Sequence, residues 1–118
     1  MANTFKVKSN AAMPTSAGTF LTLYTVPNSP STTTVVLGLI LANVHTASVT
    51  ASVQLVSDTS DTETNQTTLL VKDVSIPIGS SLEVLSGSKV VLQTTDVLKI
   101  DCSVSAKIDA SLSVMEIT

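Results

Sequence analysis

The chain is 118 residues long, with six lysines, no arginine, nine acidic residues and one histidine, giving a net charge of −3. Its length fits one domain, and its lysines (Lys6, Lys8, Lys72, Lys89, Lys99, Lys107) are spread out, which excludes the clustered basic surface that nucleic acid needs. The opening MANTFKVKSN has no apolar core of a signal peptide, and no apolar run nears the roughly 20 residues that span a bilayer, so the expectation is a chain made and kept in a cytosol, or assembled there into something larger, with no membrane partner.

Ser and Thr together fill 35 positions. Thr and Val favour strands, because branching at Cβ suits a pleated surface. Period-2 alternation recurs, and no window carries the helical spacing of apolar residues among good helix formers. TFKVK (4–8) predicts a short N-terminal strand, and NAAMPTSAG (10–18) a loop; residues 1–18 read as an arm ahead of a single domain over 19–118. TFLTLYTV (19–26) reads as a strand stopped at Pro27, and PNSPS (27–31) as a turn. The most hydrophobic strand is TTTVVLGLILANV (32–44), whose near-continuous apolar run predicts burial on both faces or against a partner subunit.

After the loop HTA (45–47), SVTASVQLV (48–56) sets Val49, Ala51, Val53 and Leu55 on one face. SDTSDTETNQ (57–66) is a polar, acidic loop, and TTLLVKDVSI (67–76) a strand ended by PIGSS (77–81). LEVL (82–85), SGS (86–88) and KVVLQ (89–93) read as a hairpin turning at Gly87. TTD (94–96) turns into VLKIDCSV (97–104), and SAK (105–107) into IDASLSVMEI (108–117), with a bulge or change of face near Val114. Eight or nine strands joined by short turns predict an all-β fold, an antiparallel β-sandwich of jelly-roll type.

The inventory offers no chemistry. Cys102 shares parity with Leu98, Ile100 and Val104 and reads as a small buried hydrophobe. His45, in NVHTAS (43–48), has no second His or Cys beside it for a metal site and reads as a polar turn residue. No G-x-S-x-G elbow marks a nucleophile, and GSSLEVLSG (79–87) lacks the spacing of a phosphate loop. Asp58, Asp61 and Glu63 lie close together without EF-hand spacing. NQT (65–67) matches a glycosylation acceptor that would matter only in a secreted chain. Phe5, Phe20 and Tyr24 sit in strand-like positions, suited to a core or an interface rather than a sugar platform. No enzyme, metal or cofactor is expected.

The apolar surplus is the stronger signal. Apolar residues are 43% of the chain, and mean hydropathy is +0.44. Apolar surface that a small domain leaves exposed marks an interface. The expected contacts are Phe5 and Val7 in the arm, Val35, Leu37, Leu39 and Leu41 in the apolar strand, and Met115 and Ile117 at the end, in a homo-oligomer for which a trimer is favoured.

Several stretches taken together carry a resemblance: MANTFKVK, LYTVPNSPSTTTVVLGLILANVHTASVTASVQL (23–55), LVKDVSIPIGSSLEVLSGSKVVLQTTDVLKI (70–100) and SLSVMEIT. They resemble a family of small virion-associated structural proteins of tailed bacteriophages, many from marine and cyanobacterial phages. The shared features are turns and strands, none catalytic. The resemblance implies a virion protein assembled in the bacterial host cytoplasm, most simply a capsid decoration or cement protein bound to the major capsid protein or another virion protein. The alternative is a tail, neck or fibre component contacting the host surface, with loops 57–66 and 27–31 as glycan-binding tips.

Overall fold

In chain order, the residues described by the computed structural model (3–28, 31–57, 66–85 and 89–118) form nine strands: β1 Asn3–Met13, β2 Leu21–Thr25, β3 Thr33–Asn43, β4 Val49–Val56, β5 Thr67–Ile76, β6 Ser81–Glu83, β7 Val90–Leu92, β8 Val97–Cys102 and β9 Ile108–Ile117. Every pairing is antiparallel. Sheet I has the order β1-β9-β3-β6, with β7 also on β3, and sheet II the order β2-β8-β4-β5. The two sheets pack as a sandwich. With β6 and β7 taken as one interrupted strand, the chain winds between the sheets in the order of a jelly roll, so the expected fold class holds.

The core follows the period of 2. β8 turns in Leu98, Ile100 and Cys102, and β4 turns in Val49, Ala51 and Val53, all at most 2% exposed. From β9 come Ile108, Ala110, Leu112 and Val114. Burying a Leu or Ile side chain is worth about 1.5–3 kcal/mol each, and Leu39, Leu41, Leu92, Leu98, Ile100, Ile108 and Leu112 are fully enclosed. The buried Asn43 organises one end: its Nδ2 donates to the carbonyls of Ala47 (3.0 Å), Ile76 (3.0 Å) and Pro77 (3.2 Å), and its Oδ1 accepts from the His45 N–H (2.7 Å).

Four local expectations give way. First, residues 82–93 do not close a hairpin. β6 pairs with Ile40–Ala42 and β7 with Thr34–Val36, so both lie on the free edge of β3. This pairing satisfies the β3 ladder and buries Leu85 and Leu92, which a private hairpin would not do. The turn at 86–88 lies outside the described residues.

Second, β9 keeps one parity throughout. The irregularity lies on its partner β3, between Val36 and Gly38. Third, of the two readings of the apolar run in β3, burial on both faces gives way: Leu37 is 38% and Ile40 is 45% exposed. Fourth, the N-terminal strand is longer than residues 4–8. β1 pairs with β9 from Asn3↔Ile117 to Asn10↔Ala110, and again at Met13↔Ile108 past a bulge. The β9 ladder holds it, where apolar alternation alone predicted a shorter element.

Candidate interaction face

The outer face of sheet I carries a row of apolar side chains in register across four strands. Phe5 on β1 opposes Met115 on β9, Met115 opposes Val35 on β3, and Val35 opposes Val91 on β7. Neighbouring strands lie about 4.8 Å apart, so the row runs roughly 15 Å across the sheet. Phe5 is 71% and Val91 60% exposed, and Met115 and Val35 between them are half-buried.

In the next row, Val7 opposes Ser113, and Ser113 opposes Gly38. The two small residues leave a dip of about 240 Å³ walled by Phe5, Val7 and Leu37. Ile117 extends the face at one end and Ile40 at the other. Its contiguous exposed apolar surface makes this face the candidate for contacts.

Six of the eight residues expected at the interface share this face: Phe5, Val7, Val35, Leu37, Met115 and Ile117. Leu39 and Leu41 do not. Both are 0% exposed in the core. The bulge at Leu37 explains the difference, because one extra residue switches the parity of the strand. Odd residues of β3 face out before it and in after it. Val91 and Ile40 complete the face and were not singled out from the sequence; the alternation of Val91 between Val90 and Leu92 is the signal that places it.

Beneath this face lies a polar cluster that the sequence reading missed. In β9 the inward series Ile108, Ala110, Leu112, Val114 ends on Glu116, which is 6% exposed. Its Oε2 accepts a 2.6 Å hydrogen bond from the hydroxyl of Tyr24 in β2, and its Oε1 lies 2.9 Å from Nζ of Lys6 in β1. The Tyr24 hydroxyl also lies 2.8 Å from Thr34 Oγ1 in β3. The carboxylate therefore ties β1 and β9 of sheet I to β2 of sheet II, and the Tyr24 hydroxyl extends the link to β3. The hydrogen bonds from Lys6 and Tyr24 hold the Glu116 carboxyl below the usual carboxylate range. Burial, with the Glu116 carboxylate beside it, pushes the Tyr24 phenol up to about 12. An inward charge at a core parity position is the sequence signal that points to such a cluster.

The cluster borders an open groove of about 710 Å³ between the edge strands β1 and β2, lined among others by Lys6, Lys8, Thr22, Tyr24 and Glu116. Lysines turned inward along an edge strand discourage indiscriminate edge pairing.

Sheet II presents a different outer face. Thr22, Lys99, Asp101, Ser52 and Gln54 point outward opposite the core residues of their strands. A shallow hollow of about 340 Å³ there is lined by Phe20, Gln54, Lys72, Asp73 and Asp101, among others. Its polar groups bond within the chain: the Asp73 N–H donates to Ser52 Oγ (2.9 Å), and Asp101 Oδ1 accepts from the Gly18 N–H (3.0 Å).

The remaining candidates are placed plainly. Cys102 is 2% exposed in the core. His45 is half-buried at the Asn43 corner. Asp58, Asp61 and Glu63, the first residue of NQT, and residues 29–30 of the 27–31 turn lie outside the described residues. Among the described residues no three metal-ligating side chains gather, and no helix is long and apolar enough to cross a membrane.

No protein-family profile matches this chain, and neither does any curated protein sequence. Among solved structures, the chain is similar to one from the endospore appendages of Bacillus, which form a family of disulfide-linked pili. The TM-score is 0.51 at 15% identity, over 99% of this chain and 87% of the other. At that identity the likeness is one of fold.

Proposed function

We propose that this chain is a structural subunit of a tailed-bacteriophage virion, a decoration protein that adds buried area across the seams of the capsid lattice. The observation that carries the reading is the apolar row Phe5–Met115–Val35–Val91 on the outer face of sheet I. In this reading the row is covered by another copy of the chain, in a homo-oligomer such as a trimer, or by the major capsid protein. Many copies of one modest interface suffice in a symmetric shell. The resemblance of several stretches to virion-associated proteins supports the same reading, and no residue is assigned a catalytic step. The test is copy number per particle, measured by quantitative mass spectrometry of purified virions against the major capsid protein. Hundreds of copies are expected; absence from the particle would refute the virion reading.

A second reading, a subunit of a tail, neck or fibre, draws support from the fold shared with a chain of pilus-like appendages. Disulfide linkage does not carry over, since the single cysteine of this chain is buried. Contact with a host glycan would then fall to the polar face of sheet II and the loop tips. A few to several tens of copies per particle would favour this reading, and a glycan array without hits for the assembled oligomer would remove its glycan arm.

A further inference from the structure

β1 is attached to the sandwich differently from every other long strand. Of residues 3–10, seven are exposed and Asn10 is half-buried, so the segment places no side chain in the core. Its hold consists of the backbone ladder to β9 and the ion pair from Lys6 to Glu116. A segment with many exposed hydrogen bonds and little buried apolar surface opens at low free energy.

The segment also ends at a built-in hinge. Between Asn10 and Met13 the register shifts, and Ala12 takes a left-handed φ of 57°, a conformation disfavoured for a residue with a Cβ. Just past this point the chain is pinned. Met13 is fully buried, the Ala12 N–H donates to Asp109 Oδ1 (2.8 Å), and the Pro14 carbonyl accepts from the Ala106 N–H (2.7 Å). The hinge and anchor therefore stay in place when residues 3–10 leave.

What remains behind is specific. An opened β9 edge exposes a row of unpaired backbone groups and leaves the Glu116 carboxylate, 6% exposed, without its cation. The partner that satisfies both is an extended segment with a lysine at the position of Lys6. The same chain supplies one in every other copy.

We propose that copies of this chain exchange residues 3–10, so that β1 of one copy pairs with β9 and Glu116 of the next. Such exchange is a low-cost route to association, because the contacts remade between chains are those given up within one. Passed from copy to copy in one direction, it links many subunits; made reciprocally, it closes a dimer. The inference is separate from the virion reading, since it is tested on the isolated recombinant chain and survives a failed copy-number count.

The test uses the double variant Val7→Cys/Ser113→Cys, whose two positions oppose each other across the β1–β9 ladder. The assembled protein is oxidised, then denatured without reductant. Exchange predicts chains joined into covalent dimers and larger species. An internal link that leaves the denatured chain monomeric overturns the proposal, as does a chain that never associates at any concentration. A second arm does not depend on disulfide geometry. Lys6→Glu and Glu116→Lys each set like charges against one another within their own ladder, and mixing them restores opposite charges only across exchanged ladders. Native mass spectrometry should find mixed oligomers that neither variant forms alone; no mixed species after mixing contradicts exchange.

Discussion

The two sheets obey the same inner rule and opposite outer ones. Inward positions on both are mostly Leu, Ile, Val and Ala closed to solvent, apart from the Glu116–Tyr24–Thr34 cluster and the lysines of β1. Outward positions on sheet II are mostly Thr, Ser, Gln, Lys and Asp, with Leu69, Val56 and Val97 among them, whereas sheet I turns out Phe5, Val7, Val35, Leu37, Val91 and Met115 in adjacent positions. A jelly roll needs apolar residues only on its inner faces. The outer residues of sheet I are surplus to folding, and their alignment in one row across four strands gives the surplus a direction. On the proposed reading, folding and association use different residues of the same strands, and substitutions can separate them.

The largest expected effect contrasts two leucines two residues apart. Leu39→Ala opens a cavity in the core and should cost about 2–5 kcal/mol of folding stability. Leu37→Ala, on the outer side of the bulge, should cost about 1 kcal/mol or less. Urea denaturation of the two variants checks this; equal losses would mean that the bulge does not separate the faces. Next comes Phe5→Ser/Val91→Ser, which removes the two ends of the apolar row. It should weaken association tenfold or more, about 1.4 kcal/mol in binding, with folding stability nearly unchanged. Gln54→Ala/Lys99→Ala on sheet II is the matched control and should leave the oligomer intact, as read by analytical ultracentrifugation.

Much of this contrast was legible in the sequence. Alternation in 48–56 and 97–104 is enough to assign strands and inner faces, because period 2 on a half-buried sheet allows one solution. The outward facing of Phe5, Val7, Met115 and Ile117 was legible because parity runs unbroken there. Facing was misread at Leu39 and Leu41, because a bulge inserts one residue without a local signature when its neighbours are all apolar. Pairing was less legible still. Residues 82–93 carry hairpin chemistry, yet β6 and β7 lie on β3, since the choice of edge depends on which ladder is left unsatisfied elsewhere in the fold. β1 was legible only at 4–8, where Phe5 and Val7 alternate with lysines; its continuation through Ser9 and Asn10 carries no apolar pattern and is held by backbone bonds.

Smaller effects test the cluster that joins the sheets. The Glu116 carboxyl titrates below its ordinary 4.5 in the folded chain. Its stabilising contribution is therefore complete above about pH 4.5 and is lost as pH falls through the depressed folded value. Glu116→Gln should lower stability at neutral pH by about 1 kcal/mol, a charge-assisted bond discounted for the exposure of Lys6. It should also flatten the loss on acidification, as shown by thermal melts at descending pH. The smallest effect is spectroscopic. Tyr24 is the sole tyrosine and its phenol is pushed up to about 12. In Glu116→Gln the phenolate absorbance should appear at lower pH than in the wild type, yet still above 10, because burial remains the larger cause.

The central claim is that sheet I, and not sheet II, is the face covered on assembly. Hydroxyl-radical footprinting of the assembled form against the dispersed chain tests it most directly, because each face carries its own reporter. Phe5 and Met115 lie on sheet I, Phe20 lines the hollow on sheet II, and the fully buried Met13 is an internal control. The account predicts that assembly protects Phe5 and Met115 and leaves Phe20 unchanged. Protection of Phe20, with Phe5 and Met115 still open to oxidation, would contradict it.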